Sequence, residues 1–129
     1  MSKELSHIGK HFIVGLTSIT LQKEEEDLLK TLNPLGIVIF RRNIATDSSW
    51  PQQLNNLITA VKETTQNNDL IVSIDHEGGK VHRLNEPITH FPAAKYWQQE
   101  SKAVGEAMGK ELRALGFNLD FAPVLDTFL

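Results

Sequence analysis

A chain of 129 residues has about the length of one domain and can bury roughly two-thirds of its unfolded surface. Its 40 % hydrophobic and 22 % charged residues exclude a disordered tail, the net charge of −3 gives no reason to expect nucleic acid, and the absence of cysteine excludes disulfides and thiolate metal sites. No apolar stretch approaches the ~20 residues that span a bilayer, and residues 1–10 lack the apolar block of a signal peptide, so no membrane partner and a cytoplasmic location are expected.

Phe12-Ile13-Val14-Gly15-Leu16 is a short apolar run with β-branched members and reads as a strand. In residues 22–32, Glu24, Glu25, Glu26 and Asp27 precede Leu28, Leu29 and Leu32. Acids early and leucines later suit a helix, whose N-terminal dipole end favours negative charge. Asn33-Pro34 ends it. Gly36-Ile37-Val38-Ile39-Phe40 is a second strand, whose unbroken apolarity predicts burial on both faces, as in a parallel sheet. After a polar loop, Asp47-Ser48-Ser49-Trp50-Pro51 offers capping oxygens and a helix-compatible proline. Leu54, Leu57, Ile58 and Val61 then give an amphipathic helix with one buried stripe, closed by residues 66–69. The third strand, residues 70–74, runs directly into Asp75-His76-Glu77-Gly78-Gly79. A longer loop passes through Pro87 and Phe91-Pro92 to a third long helix at 101–115, with Gly116 as its stop. Residues 117–125 supply a fourth strand that ends at Asp126. Four strands alternating with three long helices predict the α/β class with a parallel sheet.

Ligands of such proteins bind where loops converge at the carboxyl ends of the strands. Arg41-Arg42-Asn43 follow the second strand, Asp75 closes the third and Asp126 the fourth. The densest cluster runs from Asp75 to Arg83. Its paired glycines allow a tight backbone path that leaves Asp75 and Arg83 free to turn toward one ligand. A carboxylate and a guanidinium suit a sugar, whose hydroxyls both donate and accept; each charged hydrogen bond contributes on the order of 1.5–3 kcal/mol. The two groups can equally pair with each other or cap the loop, and spacing alone leaves both open. Glu77 reads first as a turn stabiliser, and Asp126 reads equally as a solvated end residue. His76, Glu77 and His82 invite a metal. The helical zinc motif, however, needs histidine three positions after Glu77, where Lys80 stands, so no metal is expected. The dinucleotide glycine spacing and the phosphate loop are also missing, and no cofactor is expected. His90 reads as a loop residue, and His7 and His11 sit near a frayed terminus. Phe91, Tyr96 and Trp97 suit packing more than sugar stacking.

Ile74-Asp75-His76-Glu77-Gly78-Gly79-Lys80-Val81-His82-Arg83-Leu84 resembles the I-D-x-E-G-G-x-V-x-R-L signature of family 3 glycoside hydrolases, in the β-N-acetylglucosaminidase branch. Three further blocks match in order: the run from Gly36 to Asn43, Phe91-Pro92, and the run from Glu111 to Asn118 that leads into Asp120-Phe121-Ala122-Pro123-Val124-Leu125-Asp126. The resemblance implies the N-terminal half of a (β/α)8 barrel, about four βα units over residues 1–129. It implies hydrolysis of terminal β-linked N-acetylglucosamine from peptidoglycan-derived muropeptides, with Asp75 and Arg83 contacting the non-reducing sugar. Mild departures are His76 and His82 in place of commoner glutamines and Lys80 in place of arginine. The family's lysine-histidine-rich segment, its histidine acid/base and its aspartate nucleophile all lie beyond the matched residues. No catalytic residue is therefore expected in this chain, which stops at Thr127-Phe128-Leu129 as if truncated. The alternatives are a non-catalytic sugar-binding remnant and a fragment of a family 3 β-glucosidase. Because a half-barrel leaves two unpaired strand edges and an uncovered apolar inner face, self-association is also expected.

Overall fold

A computed structural model describes residues 2–126; Thr127, Phe128 and Leu129 lie outside them. The order is α1 (Ser2–Gly9), β1 (Ile13–Gly15), α2 (Lys23–Leu32), β2 (Gly36–Ile39), α3 (Trp50–Thr65), β3 (Ile71–Ile74), α4 (Ser101–Ala114) and β4 (Leu119–Asp120). Short 3₁₀ turns stand at Arg41–Asn43, Ala94–Tyr96 and Gln98–Glu100. The sheet order is β1-β2-β3-β4, and every pair is parallel. This is the α/β class expected, built as half of a (β/α)8 barrel.

The local chemistry accounts for the element ends. Glu25 in the first turn of α2 accepts from the backbone N of Gln22 (3.1 Å) and of Thr17 (2.8 Å), so one carboxylate satisfies two amides at the positive end of the helix. Asn33 takes a left-handed conformation (φ 44°) and donates its N–H to Leu29 O, which stops α2. Ahead of α3, Asp47 accepts from the Ser49 N–H (2.8 Å) and hydroxyl, forming a turn. The expected capping bond is absent there, because no side-chain oxygen of Ser49 reaches the first turn of α3.

Register explains how the sheet is buried. Ile37 pairs with Val72 and Ile39 with Ile74, so these four side chains share one face, and all are 0 % exposed. They join Leu54, Leu57, Ile58 and Val61 of α3 and Met108 and Leu112 of α4 in one core. Gly36, Val38, Ile71 and Ser73 point the other way, together with Ile13 and Leu119, which pair with Gly36 and Ser73. On that inner face Ile13, Val38, Ile71 and Leu119 leave apolar surface partly open. Glycine and serine occupy half its positions on the central strands, and Ser73 turns its hydroxyl to Ile37 O (2.8 Å). Phe121, Val124 and Leu125, after β4, are also exposed.

Two further expectations are corrected. The first ten residues contain a helix, α1, which packs against α2. Eight residues are too few to hold a helix alone, and tertiary contact maintains it. The fourth strand is two residues long, not nine. Phe121 N still donates to Ile74 O (2.9 Å), but Pro123 has no N–H to offer and the chain leaves the ladder.

Candidate functional site

Beyond β3 the chain folds back on itself as a tight hairpin. The Glu77 N–H donates to Val81 O (3.0 Å), and Gly78 and Val81 form an antiparallel bridge. Side chains of the two limbs meet below the tip: the His76 and His82 rings lie 4.5 Å apart between centroids, and Arg83 Nη2 stands 3.4 Å from Asp75 Oδ2. Asp75 and Arg83, the two residues expected to act together, therefore face each other across the hairpin and remain about a third exposed. Their mutual pairing, the other possibility left open by spacing, also holds. At 3.4 Å the contact is long for a charged hydrogen bond, so a ligand hydroxyl competes for both groups at modest cost.

The tip requires its glycines. Gly78 and Gly79 have φ of +78° and +63°, where side chains are strained, and neighbours close the space. A Cβ on Gly78 would strike the carbonyl oxygen of Pro92, and one on Gly79 would stand 2.8 Å from Ala93 Cβ. Gly79 N donates to Phe91 O (2.8 Å), so Phe91-Pro92 is the strap that holds the tip.

Neighbouring strand exits brace the limbs. Arg41 after β2 donates to Arg83 O (2.9 Å), and Asp120 at the end of β4 accepts from the His76 N–H (2.9 Å). Burial pushes the Asp120 carboxyl up to about 6; the charges of Asp75 and Glu77 add to this, while the His76 N–H opposes it. Burial likewise pushes His76 down to about 4, helped by repulsion from His82 and His90 and opposed by Glu111. His82 is lowered for the same leading reason, with His90 and Arg41 adding to it.

The remaining candidates separate. Asn43 is fully buried and structural: it accepts from Phe40 N (2.9 Å) and donates to Leu16 O (3.0 Å) and Ser18 O (2.9 Å), tying the exits of β1 and β2 together. Arg42 donates to Leu16 O (2.8 Å) and covers the Phe40 ring. Asp126 lies six residues beyond the end of β4 and is exposed. It borders a cleft of about 800 Å³ with Glu77, Lys80, Trp97 and Pro123, away from Asp75 and Arg83. Phe91 and Trp97 are core residues, whereas Tyr96 is exposed. Among the described residues no group of three or more histidines and acids is arranged to hold a metal ion. Arg41 stood in the sequence only as one of three polar residues after a strand. Asp120 stood inside a run read wholly as strand. Their roles depend on a register the sequence does not display.

The sequence profile of the glycosyl hydrolase family 3 N terminal domain matches residues 4–127. The chain belongs to that family. Its relatives place it in the β-N-acetylglucosaminidase branch. The Beta-hexosaminidase of Methylococcus capsulatus is 33 % identical over 114 residues, which are 82 % of this chain and 32 % of that protein. NagZ from Neisseria gonorrhoeae, solved in complex with N-trifluoroacetyl-D-glucosamine, superposes with a TM-score of 0.70 at 32 % identity, covering 88 % of this chain and 35 % of NagZ. The family 3 β-N-acetylglucosaminidase from Paenibacillus sp. gives a TM-score of 0.78 at 31 % identity, over 92 % of this chain and 23 % of that one. The chain spans about a third of the length of the curated relatives it matches.

Proposed function

We propose that this chain is the sugar-gripping part of a glycosidase that releases terminal β-linked N-acetylglucosamine from peptidoglycan-derived muropeptides in the cytoplasm. The observation that carries the proposal is the Asp75–Arg83 pair, 3.4 Å apart at the exit of a parallel strand and open to solvent. A carboxylate that accepts and a guanidinium that donates match adjacent sugar hydroxyls. The N-trifluoroacetyl-D-glucosamine bound by NagZ is a ligand of that class. Retaining chemistry passes through a glycosyl-enzyme ester and needs both a nucleophile and an acid/base, and neither aligns with a residue of this chain. Residues 1–129 thus act as a partial barrel domain of about four βα units that binds without turnover. They bury the open β1 and β4 edges by self-association.

Calorimetric titration with N-acetylglucosamine tests this directly. Asp75→Ala and Arg83→Ala should each weaken binding roughly 10- to 100-fold, the loss of one charged hydrogen bond. Equal affinity in parent and variants would refute the assignment, and no affinity in any of them would favour a remnant. A chromogenic N-acetylglucosaminide should show no turnover with the 129-residue chain.

A further inference from the structure

Asp75 and Arg83 approach within 3.4 Å and stay about a third exposed, while the neighbouring His76 and His82 rings lie 4.5 Å apart, with His82 at the border of a cavity. His76 is 0 % exposed. Neither of its ring nitrogens has a hydrogen-bond partner among the described residues, and neither has Nδ1 of His82. His90 continues the file, its ring 4.4 Å from that of His82 and nearly parallel to it.

We propose that His76 and His82 are positioning residues, whose ring contact sets the spacing of the adjacent Asp75 and Arg83. The functional consequence rests on the sugar-binding assignment above; the mechanical claim does not. Two neutral imidazoles make an apolar contact that closes the limbs. A protonated one is a largely buried cation set against a second and a third imidazole.

The charged groups around the file come from every element packed against it. Arg41 approaches from the turn after β2, and Asp120 of β4 holds the His76 backbone N–H. Glu111 of α4 favours a cation, but it already accepts from Thr89 N (3.1 Å) and Thr89 Oγ1 (2.6 Å), and Glu86 borders the same cavity as His82 and His90. A cavity of about 440 Å³ bordered by His82 and His90 gives water access to the outer end of the file. The closed hairpin thus refuses a proton that the open, hydrated one accepts. Acidification through the window from 6.5 to about 4 weakens closure by at most about tenfold per pH unit for each proton refused.

The test compares the 129-residue chain with His76→Gln/His82→Gln, which keeps polar side chains of similar reach and removes the titration. Amide exchange at Glu77, corrected for its intrinsic pH dependence, reads hairpin closure without sugar. Its protection should fall about tenfold or more between pH 6.5 and 5 in the parent. In the double variant it should stay within a few-fold. The ratio of N-acetylglucosamine affinities at pH 7 and pH 5 should separate the two proteins in the same direction. Equal pH dependence of Glu77 protection in both would overturn the proposal. Should the variant not fold, NMR titration of the parent decides: the His76 ring and the amides of Glu77 and Arg83 must share one midpoint, and separate midpoints overturn the proposal. Histidine-dependent closure without sugar affinity would sink the sugar assignment and leave the positioning role standing.

Discussion

Replacing Asp120 by asparagine should expose two opposed proton equilibria that conceal each other in the parent. The His76 ring, pushed by burial from 6.5 to about 4, excludes a proton that the unfolded chain takes up. Stability from this group is therefore lost as pH falls from 6.5 to about 4, by about 3 kcal/mol at 1.36 kcal/mol per pKa unit. The Asp120 carboxyl, pushed from 3.8 up to about 6, has the opposite sign. The native state binds its proton first, so stability is gained as pH falls from about 6 to 3.8, by about 2–3 kcal/mol for a half-buried group. The two windows overlap, and the parent should show a shallow net dependence from this pair. In Asp120→Asn an amide oxygen still accepts the His76 N–H while the titration is gone. Urea unfolding followed by circular dichroism at half-unit intervals between pH 7 and 4 gives the difference between variant and parent, in which groups remote from Asp120 cancel. The variant should lose about 2 kcal/mol relative to the parent across that range. A difference that stays flat within 0.5 kcal/mol, a threshold of about a third of a pKa unit, would refute the linkage.

Gly78→Ala places a β-carbon against the carbonyl of Pro92 at a positive φ. A cost of about 2–4 kcal/mol in urea midpoints, with loss of N-acetylglucosamine affinity, is expected from backbone strain plus a clash that backbone atoms cannot relieve. Asn43→Ala removes the partner of Ser18 O and Phe40 N and leaves Leu16 O with Arg42 alone. It should destabilise by about 2–4 kcal/mol in thermal or urea unfolding, with no direct effect on sugar contacts. Sedimentation velocity across a dilution series should show a concentration-dependent assembly through the β1 and β4 edges, and a single monomeric species at all concentrations would contradict it.

The strand and helix alternation was legible because its signals are local. The stripe of Leu54, Leu57, Ile58 and Val61 and the acids ahead of Leu29 fix α3 and α2 without knowledge of the rest. Helix α1 was not legible, since its eight polar-rich residues form a helix only against α2. The length of β4 was overread for the converse reason: Phe121, Val124 and Leu125 are apolar enough for a strand, yet Pro123 ends the ladder and leaves them exposed. In the site, Asp75 and Arg83 could be named from one contiguous motif. Arg41 and Asp120 act through backbone groups of residues 42 and 44 positions away, and only the parallel register brings such partners together. The histidines were weighed as metal ligands and as substitutions in the motif. Their mutual contact arises where the chain folds back, which the Gly78-Gly79 tip permits but does not by itself specify.

Every restraint on the Asp75–Arg83 pair described here comes from three consecutive strand exits. Arg41 after β2 fixes the Arg83 carbonyl, the hairpin after β3 carries both groups, and Asp120 at the end of β4 fixes the backbone beside Asp75. The strap at Phe91 that secures Gly79 lies within the same segment. The arrangement of the Asp75–Arg83 pair is therefore set within these strand-and-loop units, whereas hydrolysis also needs a nucleophile and a proton donor placed about the sugar. On the sugar-binding proposal, binding and chemistry are separable. A chain limited to these units should retain measurable selectivity between N-acetylglucosamine and a sugar lacking the hydroxyls that meet Asp75 and Arg83, even when its turnover is nil.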